Sequence, residues 1–342
     1  MDRITNNNGL NRFFNGAKQA VSAAGRKIVN AAGRTIKNVT NAPSLEPLMR
    51  NAQPLVQAFA QPFDLGAFPE LFVTPIGNMF REWSSERVDF IRNHCMKQFE
   101  ECTGDGVTTI EDSNKVFVAR SEFGPDISVK QAQDFGFILP GDIDERVRHN
   151  PNLKVKPLFI RCFGVGSGNT KDQILEGAKN ILSLPTDRLE LANSLILSHI
   201  ESVQERFKSN QDVLVVPLIT GFSQGGMFAS AIALKNNFPS ITFNGLGLGK
   251  GGCDFVGETD WARAQRQQNS HIAMVVDHDF VASPDSAWRN ATRIPGCIVG
   301  IPSDNPTINK MYEIHFYSEY FDRARQDYLT SHQLDTRDRL VA

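Results

Sequence analysis

Val213-Leu214-Val215-Val216-Pro217-Leu218-Ile219-Thr220-Gly221-Phe222-Ser223-Gln224-Gly225-Gly226-Met227 sets an apolar run against a small-residue helical pattern, with Gly-x-Ser-x-Gly at the junction. Asp212 to Ile219 predicts a buried strand. Gln224 to Asn236, carrying Met227, Phe228, Ala229, Ala231, Ala233 and Leu234, predicts a helix suited to close packing on a sheet. A serine hydroxyl that must stand clear of the backbone needs a tight turn, and glycines on either side leave room for the neighbouring strands and the following helix. Ser223 is therefore the first candidate nucleophile; an ordinary structural turn is the competing reading of the same five residues.

The pattern continues on both sides of this junction. Upstream, Pro157 to Phe163 reads as a buried strand and Lys171 to Leu184 as a helix, and Asp187 can cap an amphipathic helix to about Lys208. Downstream come a strand at Ser240 to Leu246, a helix near Phe255 to Gln267 and a strand at Ile272 to Asp277. Strands alternating with helices imply an α/β protein, a mainly parallel sheet with helices on both faces, whose sites lie at the carboxyl ends of the strands. The expected organisation is an N-terminal extension over 1–80 and a domain over 81–342 with its core at about 156–335. Between them Ser85 to Glu101 has helical spacing, Lys115 to Ala119 is strand-like, and Ser128 to Phe135 reads as a helix.

The 342 residues can bury a large core, and 36 Lys and Arg nearly balance 38 Asp and Glu, which argues against general nucleic-acid affinity. Residues 1–50 hold eight basic side chains against two acidic ones, so the rest of the chain is acidic. A tandem repeat, Ala23 to Asn30 followed by Ala31 to Asn38, puts Phe14, Ala17, Val21, Ala24, Ile28, Ala32 and Val39 on one helical side and Arg26, Lys27, Arg34 and Lys37 on the other. Residues 13–39 thus read as a basic amphipathic helix for an anionic membrane or a partner, as a targeting signal, or as a flexible polar leader. The prolines between 43 and 75 read as a linker. Five scattered cysteines form no Cys-x-x-Cys pair, so neither a disulfide scaffold nor a metal site is expected, and no cofactor is implied. No apolar run reaches the ~18 residues of a spanning helix, and Met1 to Asn8 lacks a secretory core; the expected location is cytoplasmic, or outside by a route independent of a signal peptide.

A serine nucleophile needs a general base and an acid to orient it, in the chain order Ser, Asp or Glu, His on this kind of sheet. The strand from His271 runs into Asp277-His278-Asp279, which makes Asp279 the first choice of acid and Asp277 the second. His278 is too close in sequence to be the partner of Asp279, and His271 stands at the far end of the same strand. The base is then His332, read at the start of a short C-terminal helix, or His315, read in a strand of alternating aromatics.

The segments Val216 to Phe228, Ile241 to Gly247 and Val275 to Val281 resemble the core of the fungal-type (class 3) lipases and related bacterial α/β-hydrolases. The resemblance implies a serine hydrolase that cleaves carboxylic esters through an acyl-enzyme on Ser223, with Asp279 as orienting acid and a late histidine as base. With the basic N-terminus it points to lipid substrates. The chain differs from that family at Phe222, where histidine is usual, and at Arg161-Cys162-Phe163-Gly164-Val165-Gly166-Ser167-Gly168, where Arg-Gly-Thr is expected. An oxyanion hole needs two fixed donors, each worth about 3 kcal/mol in the transition state. The Gln224 amide is one by position, and an amide from Gly164 to Ser167, Gly164 or Val165 first, is the other. The same glycine loop lies where a phosphate loop would, but lacks Gly-Lys-Ser/Thr and the third glycine of Gly-x-Gly-x-x-Gly. Nucleotide binding, and a hydrolase fold that binds without catalysing, are the alternatives.

Overall fold

The computed structural model describes residues 68–70, 73–97, 101–138, 145, 147, 150, 152–181, 187–279, 281–283, 292–303 and 317–341, the last ten by backbone alone. The amphipathic segment 13–39 lies outside this set. The strands are β1 (Thr74–Pro75), β2 (Thr108–Glu111), β3 (Val118–Phe123), β4 (Ile127–Ser128), β5 (Lys154–Cys162), β6 (Val213–Phe222), β7 (Ser240–Phe243), β8 (His271–Val276) and β9 (Cys297–Ile301). They form one sheet in the order β1-β9-β8-β7-β6-β5-β3-β2, with β4 also paired to β5. From β1 to β5 every neighbouring pair is parallel; β2, β3 and β4 add an antiparallel margin.

Alternation along the strands builds two cores. In β6, Val215 and Ile219 point into one and Leu214, Val216 and Leu218 into the other. Strands β5 to β9 lie side by side in chain order, and right-handed crossovers that all step the same way put their helices on one face. That face carries α4 (Thr170–Ile181), α5 (Arg188–Phe207), α6 (Gln224–Lys235), α7 (Lys250–Val256) and α8 (Glu258–Arg266). Leu189, Ala192, Ile196, Phe228, Ala229 and Trp261 pack there on Leu158, Ile160 and Ile219.

The opposite face is covered by helices from outside that succession: α1 (Ile76–Glu82), α2 (Ser85–Phe90) with its π-helical continuation Ile91–Cys95, α3 (Val129–Asp134) and α9 (Tyr317–Val341). Ile76, Phe80, Phe90, Phe135 and Phe321 bury their side chains against Phe159, Leu218, Phe243 and Met274. The body is thus α/β, a mainly parallel mixed sheet with helices on both faces. Phe68 stacks edge-on with Trp261, and β1 pairs with β9, so both pack with this body. No described helix is long and apolar enough to cross a membrane.

Candidate active site

The carboxyl ends of β5, β6, β7 and β8 lie together along one edge. Ser223 stands between the end of β6 and the start of α6 at φ 53°, ψ −128°, a left-handed conformation costly for any residue with a Cβ. Its own groups hold it there: Ser223 N donates to Phe243 O (3.3 Å), and Ser223 O accepts from Gly226 N (3.0 Å) and Leu246 N (2.8 Å). The side chain is neither buried nor fully exposed.

Steric room explains the glycines. A Cβ at Gly221 would run into Gly225 O and come 2.7 Å from the Ala229 Cβ; one at Gly225 would run into Cys162 O; one at Gly226 would come 2.5 Å from Gly245 Cα. The helix therefore approaches the strands as closely as backbone allows. Gly164 lies across from the hydroxyl, since a Cβ there would stand 3.3 Å from Ser223 Oγ and 2.9 Å from its Cβ. The loop after β5 and the serine turn thus face each other at contact distance.

The first amides of a helix have no intrahelical acceptor, so the N–H of Gln224 at the start of α6 is a donor by position. In the facing loop Gly166 N donates to Gln173 Oε1 (2.9 Å), and Asn169 N donates to Lys115 O (2.8 Å). Asn169 also caps α4, its Oδ1 accepting from Asp172 N (3.4 Å) while its Nδ2 reaches Asp172 Oδ2 (2.8 Å). Two of the loop's amides are therefore already committed, and a carboxylate occupies the first turn of the helix. Cys162, the last residue of β5, is no rival nucleophile: complete burial pushes its thiol far above the ordinary range.

Asp279 follows β8, two strands from β6 and so about 10 Å away in the sheet, room for one imidazole and its hydrogen bonds. Its side chain is 1% exposed, and Oδ1 accepts from Val281 N (2.8 Å) and Ala282 N (2.6 Å). Asp277 is half-buried, its N donating to Ile301 O (2.8 Å), and His278 between them is exposed at φ 64°. Asn244 ties this corner together: at φ 44° after β7, its Oδ1 accepts from Val276 N (2.8 Å), the last residue before the acidic turn.

The histidines sort by position. His271 is buried at the amino end of β8 with Nδ1 against Ser240 Oγ (3.2 Å), and desolvation, aided by Arg263, lowers it to about 4. His199 Nε2 lies 2.6 Å from Ser121 Oγ, and His94 stacks on Phe90. His315 lies outside the described residues.

His332 belongs to α9, but in the interior of a 25-residue helix rather than at the start of a short one. The course of that helix follows from its contacts. Arg87 Nη2 reaches Asn269 O at the amino edge, whereas His94 O and Cys95 O accept from Arg161 near the carboxyl end of β5, so α2 and its π turn climb toward the site edge. Arg92 pairs with Asp322 and Asp89 with Arg325, so α9 runs the opposite way.

The sequence did not single out Gln173, Asn180 or Asn244. Gln173, Glu176, Gly177 and Asn180 recur at helical spacing and form a buried face of α4. Burial raises the Glu176 carboxyl above its usual range, with Lys179 opposing. Among the described residues no cluster of His, Cys, Asp or Glu is placed to hold a metal ion. No protein-family model matches this chain, and a comparison with curated proteins finds no matching relative.

Proposed function

We propose that this protein is a serine hydrolase of the α/β-hydrolase type, cleaving carboxylic esters through an acyl-enzyme on Ser223. The observation that carries the reading is the conformation of Ser223, held at φ 53° between strand and helix with Gly164 across from its hydroxyl. A non-glycine residue kept in this costly region by surrounding glycines is what an exposed nucleophile on a tight turn requires. Asp279, buried and oriented by two amides, is suited to steady an imidazolium. The base is assigned to the C-terminal segment. It is His332, within α9, or His315, which lies outside the described residues.

In this scheme the histidine takes the Ser223 proton as Oγ attacks the ester carbonyl, and Asp279 stabilises the cation that forms. The amide of Gln224 and one from Gly164 or Val165 receive the oxyanion; Gly166, which donates to Gln173, does not. The histidine then protonates the leaving alcohol, and water repeats the sequence to release the acid. Lipid acyl esters are the proposed substrates, with residues 13–39 bringing the enzyme to an anionic surface.

The test is labelling with a fluorophosphonate together with an ester panel, on wild type, Ser223→Ala, His315→Ala and His332→Ala. Wild type is expected to label on Ser223 and hydrolyse esters, Ser223→Ala to lose both, and one of the two histidine variants to lose at least a thousandfold in kcat/KM. A folded wild type that neither labels nor turns over any ester overturns the enzymatic reading, and the histidine variant that alone loses activity identifies the base.

A further inference from the structure

The loop that faces Ser223 belongs to no strand or helix, yet an oxyanion donor must be fixed to a fraction of an ångström relative to the nucleophile. From Gly164 to Gly168 nothing in regular structure supplies that precision. The hydrogen bonds that do converge on a single side chain, Gln173, one turn into α4 and 1% exposed.

Gln173 Oε1 accepts from Gly166 N (2.9 Å), and its Nε2 donates to Ser167 Oγ (3.0 Å). Ser167 Oγ in turn donates to Gly164 O (2.9 Å), the residue whose Cα lies against Ser223. The backbone of Gln173 reaches the other half of the site, because its carbonyl accepts from Gln224 Nε2 (2.5 Å). Gln224 is the residue that follows the nucleophile. Gly177, one turn further along α4, makes room for that contact, since a Cβ there would come 3.3 Å from Gln224 Nε2.

We infer that Gln173 is the positioning residue of the oxyanion hole: its side chain sets the Gly164–Ser167 loop, its carbonyl sets Gln224, and the spacing between the two donors is fixed through one residue. The inference rests on the ester-hydrolase reading above. Gln173 touches no substrate. It acts by keeping two amides aimed at one point, so its removal weakens interactions made only in the transition state and leaves ground-state binding alone.

The experiment compares wild type with Gln173→Met, which keeps the length and volume but none of the side-chain hydrogen bonds, and with Ser167→Ala, which removes only the link from Gln173 to Gly164. For Gln173→Met, kcat is expected to fall roughly 10- to 100-fold, part of the 10²–10³ that a lost oxyanion donor costs, with KM within about twofold. Affinity for a boronic acid, which forms a tetrahedral adduct on the serine, should fall in step with kcat, while thermal stability stays within a few degrees. Ser167→Ala should show a smaller loss of the same kind. A rise in KM at unchanged kcat, or boronate affinity equal to wild type in both variants, overturns the inference while leaving the hydrolase reading intact. A wild type that fails to label on Ser223 overturns both.

Discussion

At Ser223 the chemistry proposed for the hydroxyl and the stability of the chain pull in opposite directions. A φ of 53° crowds the Cβ against its own backbone, at about 1–2 kcal/mol for residues other than glycine. Replacing the serine by alanine keeps the Cβ and the strain, whereas glycine removes both at some cost in unfolded-state entropy. Ser223→Gly is therefore expected to be about 1 kcal/mol more stable than Ser223→Ala, read from urea midpoints at equal slope; equal midpoints would show an unstrained turn. His271 is a second residue with a global signature. Its folded-state pKa of about 4 lies below the 6.5 of the exposed imidazole, so between those values the unfolded chain binds the extra proton. Its neutral form contributes fully above pH 6.5, and the contribution is lost as pH falls to 4, a difference of about 3 kcal/mol. His271→Gln should flatten that part of the stability profile by a comparable amount; a variant with the wild-type acid limb would assign the loss to other groups.

Elements with their own local signal were legible in the sequence, and those shaped by contacts were not. The apolar runs of β5, β6, β7 and β8 and the small-residue helix α6 fall within a few residues of expectation, because burial on both faces leaves a continuous apolar stretch. The turn at Ser223 was legible for the same reason, glycine being required on both sides. The strand β9 is only five residues long and was not anticipated. The inner face of α4 misleads because Gln173 and Asn180 are satisfied by loop backbone: Asn180 Nδ2 donates to Gly247 O (2.9 Å) and Oδ1 accepts from Gly249 N (2.9 Å). Hydrophobic periodicity cannot reveal a buried face made of amides. The helix expected near Phe255 to Gln267 starts only after Gly257, as α8, and an unanticipated α7 ends before that glycine, which stands at φ 86°. The two descriptions give opposite signs for one substitution. In a continuous helix Gly257→Ala would stabilise by about 1 kcal/mol. At a left-handed junction with open space around the Cα it should destabilise by about 1 kcal/mol, and a raised urea midpoint would restore the continuous helix.

On the scale of the molecule, one face of the sheet is covered by its own crossovers, but the other is assembled from segments at opposite ends of the chain, α1 to α3 and α9. Apolar packing supplies most of that contact, and being non-directional it does not by itself set the register of the layer. Arg161, whose side chain is 4% exposed, does so from β5. Its Nη1 and Nη2 hold Cys95 O and His94 O, Nε and Nη2 share Glu122 Oε1 at 3.0 and 2.6 Å, and the guanidinium lies over Phe159. Removing one partner of so buried a pair strands the other, which costs about 3 kcal/mol or more, although Lys97 at 3.2 Å remains to share the Glu122 charge. Arg161→Met is accordingly expected to destabilise by about 3 kcal/mol in the native background and by at least 1 kcal/mol less when Glu122 is already glutamine. A double-mutant cycle in urea measures the difference. Additive losses would mean that the two carbonyls of the π turn, and not the ion pair, tie the layer to the sheet, because those acceptors are lost equally in both backgrounds whereas the stranded carboxylate exists in only one.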